Sequence, residues 1–401
     1  MSVTNQPTSQ GPLTGVTVVE LGDGTSAPYA AKLFGDLGAE VIKVEGPAGD
    51  SSRKRGPFPD GRPDPEASGL FMYLNVNKFG VMLDLDTKPG VADMHKLLSR
   101  ADVFMTNLPV KRLVAVGLDA KTLRAQYPKL VVTTISPFGV DGPWADRLSD
   151  ELVTFASTGL AYSTPGMPDA SEDLVKEPPL HPACFAGETI SGLVAAEATM
   201  AALLGSGHTG EGCHVELSQQ AAMAAMQIRD ATSASYTGAP YNRLINPITI
   251  GRMPNFYLPC KDGYVTIAAP MENHWERLKD GMGRPAWAES ELYSTEQART
   301  ANWISLRVRL MEWTMTVTSD EMHAFGETSQ LPIFPFYSIR KLAGTQQSKD
   351  RGTFADLTIG GKPAKMPAAP FQMRGTPWSI RRPAPRLGEH SAVILKDGIA
   401  A

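Results

Sequence analysis

The chain has 401 residues, of which 42% are hydrophobic and 20% charged, and a net charge of −4. This balance suits a globular protein with an ample core and leaves no basic footprint for nucleic acid or an acidic membrane surface. No window offers the roughly 18 uninterrupted apolar residues of a membrane span, and the length suits about two or three domain-sized units or one large fold carrying an insertion.

The polar start, Met1 to Pro7, reads as a short flexible lead and not as a signal. Val16–Leu21 is β-branched and strand-like, Gly22–Ala27 is a glycine-bearing turn, and Pro28 opens a helix that ends near Leu37, with Gly38 as its stop. Glu40–Glu45 is the next strand, which completes a unit of about 30 residues, the length of a βαβ crossover. Gly22 and Gly24 are followed by Ala27 where a third glycine would complete a dinucleotide fingerprint. A tight βα turn is therefore the preferred reading. Residues 46–70 read as a long loop, whose Arg53-Lys54-Arg55 cluster is expected to be a solvated patch, with a phosphate contact as the alternative.

Val81–Leu85, Asp102–Thr106 and Leu130–Ser136 are further strands, separated by helices over Lys88–Arg100 and Leu118–Gln126. Strands alternating with helices predict a mostly parallel sheet covered on both faces. Ligands bind outside the carboxyl ends of such strands. Gly22–Ala27, Asn107–Arg112 and Pro137–Trp144 then share one rim.

A helix is expected from Asp150 to Ala161, then a Pro-rich connection over Pro165–Pro182. The stretch Ala183–Gly192 closes that loop and opens a long apolar helix from Glu188 to about Leu204. A carboxylate in a first helical turn faces free N–H groups and the positive end of the dipole. The ordinary reading of Glu188 is a dipole-satisfying charge; the functional reading is a carboxylate held ionised to meet an incoming group. Nearby Cys184 has no assignable His or Asn partner and reads as a buried structural thiol.

Cys213–Leu217 is a strand, and Ser218 caps a helix running to about Tyr236, with Met223 and Met226 as packing residues. Composition shifts after Gly238. Residues 239–262 read as a linker into a smaller unit from Phe256 to Phe334, with a strand at Tyr264–Ile267 and helices over Glu272–Gly281, Ile304–Met315 and after Ser319. Lys341–Lys365 reads as a polar return linker, and a short helix follows His390. Cys184, Cys213 and Cys260 form no CxxC pair, so a disulfide framework is not indicated and a cytoplasmic location is expected. His95, His208, His214, His274 and His323 share no metal-ligand spacing, and no metal is expected.

Six segments in order resemble the family III CoA-transferases, the formyl-CoA transferase and CaiB/BaiF group. They are Gly15–Glu45, Asn75-Val-Asn-Lys78 with Leu83-Asp84, Asp102–Asn107 with Gly117-Leu118, Ile135–Pro143, Gly210–Ser218 and Ala384–His390. The resemblance implies an α/β fold with a Rossmann-like large domain built from both termini, here 1–238 and 341–401. It also implies a smaller inserted α/β domain, 239–340, and two chains interlocked as a homodimer. The implied activity is exchange of CoA between an acyl-CoA and a free carboxylic acid. In the family the nucleophile is an Asp four residues before the glycine of this helix, a position that falls on Glu188. Glu151 falls where several members carry a supporting Glu. The expected CoA contacts are Gly24, Thr25, Ser26, Ala27, Leu83, Asn107, Leu108, Lys111, Arg112 and Pro137.

The chain departs from the family pattern at four places. Glu188 replaces the Asp, and a displacement of about 1 Å can cost around a hundredfold in rate. Ala115 stands where several members place an Arg, with Lys111 and Arg112 in the preceding turn as substitutes. Gly46 stands at a basic position, and Asn246–Pro254 replaces a Gly-rich loop. Two alternatives follow. One is a non-catalytic subunit of a heteromeric enzyme. The other is an α-methylacyl-CoA racemase, whose catalytic His has no counterpart in Leu148–Glu151. Pro254–Tyr257 and Ile333–Tyr337 are candidates for the wall of the acid pocket.

Overall fold

The computed structural model describes residues 11–163, 179–238 and 254–397. Most of the expected Pro-rich connection and of the Asn246–Pro254 segment lies outside them. In chain order the elements are β1 (Thr17–Leu21), α1 (Ser26–Asp36), β2 (Glu40–Glu45), α2 (Gly69–Asn75), β3 (Lys78–Met82), α3 (Lys88–Leu98), β4 (Val103–Thr106), α4 (Val110–Ala115), α5 (Ala120–Gln126) and β5 (Val131–Ser136). There follow α6 (Glu151–Ala156), α7 (Leu160–Ser163), α8 (Ala186–Thr209), β6 (His214–Ser218), α9 (Gln219–Ala224) and α10 (Ile228–Thr237). The described residues fall into two compact units, one from Met1–Leu160, His181–Ile228 and Lys349–Ala401, the other from Ala161–Leu180 and Arg229–Ser348.

The first unit is built on a six-stranded sheet of order β3-β2-β1-β4-β5-β6 with every pairing parallel. Alternate residues of the same strands feed two cores. Val18, Val41, Val103 and Val131 pack under α1 and α8, while Val19, Ile42, Phe104 and Val132 pack under α3 and α5. Burial on both faces explains why these strands are rich in apolar residues, with Glu20 and Lys43 as buried exceptions. The order reverses between β1 and β4, which makes that rim the switch point. By length and hydropathy α8 passes for a membrane span. Its Gly192, Ala195, Ala196 and Thr199 face is nevertheless buried, and Thr199 Oγ1 meets Thr133 Oγ1 of β5 at 2.7 Å.

In the second unit, β7 (Asn255–Cys260), β8 (Gly263–Ala268) and β9 (Ile333–Pro335) form an antiparallel sheet. Between them in sequence run α11 (Glu272–Gly281), α12 (Glu296–Ala301), α13 (Trp303–Thr314) and α14 (Ser319–Ser329). Phe256, Leu258, Val265 and Ile267 of the sheet pack on Trp275, Leu306, Leu310 and Met322. The chain returns through α15 (Ile339–Gly344), α16 (Gln346–Arg351), a hairpin of β10 (Phe354–Ile359) and β11 (Lys362–Pro367), and α17 (Ser391–Asp397).

Several expectations are corrected. Part of the 239–262 linker is β7, and Lys341–Lys365 holds helix and hairpin: Pro259 and Pro363 disguised these strands, both of which are edge strands of the kind that tolerates proline. The helix expected over Ser218–Tyr236 is two, α9 and α10, although Ser218 does cap the first by accepting from Ala221 N. The 46–70 loop ends in α2, capped by Ser68. The third strand begins at Lys78, three residues early, because that lysine is drawn inside.

Lys78 belongs to a buried ion network. Glu20 of β1 bonds Lys43 of β2 at 3.0 Å through one oxygen and Lys78 of β3 at 2.8 Å through the other, and all three side chains are 0% exposed. Lys78 also donates to Pro28 O and Asn75 Oδ1, which fills its three donor positions. Lys43 reaches Asp50 at 2.7 Å, a close ion pair whose angles fall short of a hydrogen bond. Burial lowers the Lys78 pKa to about 8, with Glu20 opposing and Lys43 adding to the shift. Burial also acts downward on Lys43, but Asp50, Glu20 and Glu45 outweigh it and hold that group above its ordinary value. Arg53 is not a solvated cation: it is buried, bound to Glu45 through Nε at 2.7 Å and Nη2 at 2.8 Å, and stacked on Phe71. Glu20→Gln leaves two buried lysines short of a counter-charge and is expected to destabilise the fold by about 3–5 kcal/mol, read as a shift of the urea midpoint.

Candidate active site

The start of α8 is irregular for a physical reason. Its N-cap is Phe185, which offers no side-chain oxygen and adopts φ 54 and ψ 43, and Cys184 before it has φ 73. Two consecutive non-glycine residues in the left-handed region store backbone strain. The missing cap is supplied from elsewhere: Glu151 Oε1 accepts from Gly187 N at 2.9 Å. Glu151 is itself placed by the start of α6, where Asp150 accepts from Val153 N. Its second oxygen meets His181 Nε2 at 2.5 Å, and the His181 ring stands edge-on to Phe155.

Glu188 is the third residue of α8. Gly192, one turn later on the same face, lets the helix close onto α1. A Cβ there would stand 2.5 Å from Ser26 O. This contact brings the start of α1 to Glu188. Thr25, the N-cap of α1, makes no capping bond. Both Thr25 Oγ1 and Glu188 Oε2 are buried without a hydrogen-bond partner. Burial raises the Glu188 pKa; the Thr25 hydroxyl and Arg55 oppose that, and Glu151 and Asp23 add to it. The hydroxyl therefore acts on the carboxylate by proximity without completing a hydrogen bond. Among these groups Arg55 is the cation, and its guanidinium lies over the Phe185 ring at 5.3 Å.

The rim residues divide by what the fold does with them. Asn107 spans the switch point: its Oδ1 accepts from Asp23 N at 2.8 Å, and its amide nitrogen donates to Asp23 O and Ser26 Oγ. Gly24, at φ +71, donates its N–H to Asp50 Oδ1. Two of the turn's N–H groups are thus engaged, consistent with a tight βα turn and not with a pyrophosphate cradle. Ala27 and Leu83 are core side chains and Ser26 is fully buried, so these expected CoA contacts present no exposed side chain. Leu108 is half-buried. Lys111 is exposed and Arg112 half-buried, and they pair with Asp146 and Asp86. Pro137 begins a loop held by Val140 N on Glu216 and by Gln220 N on Pro137 O. In the second unit, the segments at Pro254–Tyr257 and Ile333–Tyr337 flank β8, and Tyr257 and Phe336 pack edge to face.

Three readings change at this site. Cys184 is exposed, not buried, because its left-handed backbone turns it out ahead of the helix. Gly187 N, expected among the free N–H groups of the first turn, is engaged by Glu151. His181 was missed: lying beside Pro182 in an irregular stretch, it carried no periodic signal, and only its partner Glu151 was singled out.

Sheet order and polar rim put the chain among the doubly wound α/β proteins. Residues 13–391 match the model of CoA-transferase family III. The chain is 30% identical over 407 residues to the succinate–glutarate CoA-transferase of Agrobacterium fabrum, covering 98% of each. It is 27% identical to the alpha subunit of the succinyl-CoA–L-malate CoA-transferase of Chloroflexus aurantiacus, covering 99% of this chain and 91% of that one. The crystal structure of a CaiB/BaiF family protein from Brucella suis superposes with a TM-score of 0.85 at 27% identity, over 96% of this chain and 98% of that one. The chain belongs to CoA-transferase family III. It is a CoA-transferase, and its co-substrate is a CoA thioester.

The raised pKa of Glu188 fixes a sign. A carboxylate whose folded pKa lies above its unfolded value stabilises the fold only while protonated, and that contribution is lost as pH rises through the folded value. Glu188→Gln is therefore expected to be more stable than the parent by about 1 kcal/mol at pH 7.5. The gap should close as pH falls towards the ordinary value of 4.5, followed by thermal unfolding across pH.

Proposed function

We propose that this enzyme exchanges CoA between an acyl-CoA and a free carboxylic acid through covalent intermediates on Glu188. The observation that carries the reading is the Glu188 Oε2 atom, buried and unpartnered at a helix start opposite an equally unpartnered Thr25 hydroxyl. A carboxylate desolvated without a hydrogen bond is a stronger nucleophile than one in water, and the dipole of α8 keeps it ionised at neutral pH.

In the first step a Glu188 oxygen attacks the thioester carbonyl, the C–S bond breaks, and CoA leaves as thiolate, giving a mixed anhydride. The thiolate then attacks the Glu188 carbonyl carbon, which releases the first acid and leaves CoA on the enzyme as a thioester. The second acid attacks that thioester by its own carboxylate, and the returning thiolate collects its acyl group. Glu188 is regenerated with no net proton change. Thr25 Oγ1 is the donor for the oxyanion, and Glu151, with His181 behind it, holds the first turn of α8 in place. The rim at Gly24, Asn107, Leu108, Lys111, Arg112 and Pro137 receives the CoA moiety.

The working form is a cytoplasmic homodimer. Leu193 and Leu204 of α8 are 53% and 67% exposed, which is much apolar surface for a helix that opens the site, and a second copy of the chain would cover it. The three cysteines are free, in keeping with a reducing compartment.

Glu188→Gln and Glu188→Ala should lose CoA exchange by at least about a thousandfold. The parent, incubated with acyl-CoA, should carry a CoA adduct that hydroxylamine removes and mass spectrometry locates at Glu188. Full exchange by the Gln variant would refute the assignment, and a parent chain inert until a second family member is added would make it one subunit of a heteromer. The acid limb of kcat/KM should lie above the ordinary glutamate value of 4.5, because activity needs the ionised form and burial raises its pKa.

A further inference from the structure

Resting on Glu188 as the nucleophile, we propose that Arg55 sets acid specificity: its guanidinium receives the distal carboxylate of a short dicarboxylic acid whose other carboxyl group reacts at Glu188. The backbone of Arg55 is fixed. Its N–H donates to Ser52 O at 3.1 Å, and its carbonyl accepts from Ser68 Oγ at 2.5 Å. Ser52 is in turn held by Asp50 through both its N–H and its hydroxyl, at 2.8 and 2.6 Å, and Asp50 is an arm of the buried ion network. Arg53, two residues earlier, is consumed by Glu45 and Glu66. Arg55 is the opposite case. It is exposed, makes no ion pair with any described carboxylate, and holds its guanidinium carbon 5.3 Å from the ring centre of Phe185, three residues before Glu188.

A guanidinium that makes no ion pair keeps its donors free, in a fork that matches a carboxylate. Its charge is felt at Glu188, yet it stands outside ion-pair distance of that group, beside the Phe185 ring that precedes the first turn of α8. The other charges at the site are unfavourable to an incoming acid. Asp23, Glu151 and Glu188 are acidic, and His181 is engaged by Glu151. A monocarboxylate meets this field with nothing to offset its charge beyond the reaction centre. A second carboxylate carried a few atoms away finds the free fork of Arg55.

The test compares succinate and glutarate with butyrate as CoA acceptors for the full-length parent, Arg55→Gln and Arg55→Lys. The ratio of kcat/KM for succinate over butyrate should fall about a hundredfold in Arg55→Gln, mostly through KM, with Arg55→Lys intermediate. Taking the ratio cancels any effect of Arg55 on Glu188 itself. An unchanged ratio, or equal loss for both acids, overturns the proposal. Calorimetric titration of succinate separates it from the Glu188 reading. Binding kept in Glu188→Gln and lost in Arg55→Gln supports the role of Arg55 even if exchange fails, in which case only the Glu188 reading falls. Succinate binding equally to Arg55→Gln, or not at all to Glu188→Gln, overturns it.

Discussion

One buried carboxylate, Glu20, holds the large unit together where it matters. It lies on β1 at the centre of the sheet and takes Lys43 from one neighbouring strand and Lys78 from the next. Desolvated charges of this kind stabilise only when every partner is present and well placed. Here the geometry is complete, since Lys78 has its three acceptors and Lys43 passes the charge on to Asp50. From Asp50 the constraint reaches the rim: its Oδ1 receives Gly24 N beside Thr25, and Ser52 N on the way to Arg55. Two polar groups facing Glu188 therefore stand on loops whose conformation is set inside the sheet.

The opposite principle governs the start of α8. The Oε2 atom of Glu188 is buried without a hydrogen-bond partner and lies near an unpartnered hydroxyl, and the residue follows two others in left-handed backbone. Each feature opposes folding. Such a segment persists because its surroundings over-determine it. Gly192 closes the helix onto Ser26 O, Glu151 supplies the cap that Phe185 lacks, and Met223 packs on Gly187.

The extra methylene of Glu188 relative to the family's Asp takes on a physical setting here. The carboxylate feels the Thr25 hydroxyl and, outside ion-pair distance, the Arg55 guanidinium. The longer side chain is accommodated, not stranded in solvent. Relatives that match the chain carry names with different acids, among them succinate, glutarate and L-malate.

Much of this fold is legible in the chain because it is local. Strand and helix alternation, the helix start at Asp150, the cap at Ser218 and the apolar run of α8 depend on residues a few positions apart, and local pattern reports them directly. The same reading singles out Glu188, since a carboxylate in a first turn is visible without any tertiary knowledge. What the chain alone did not determine depends on partners far away in sequence. Arg53 and Lys78 look like surface cations until Glu45 and Glu20 are folded against them. Cys184 looks buried until two left-handed residues turn it outwards, and His181 has no identity until α6 brings Glu151 to it. Tertiary structure decided these, because the sign of a charged residue's contribution depends on whether its counter-charge arrives with it out of water, and no local pattern records that.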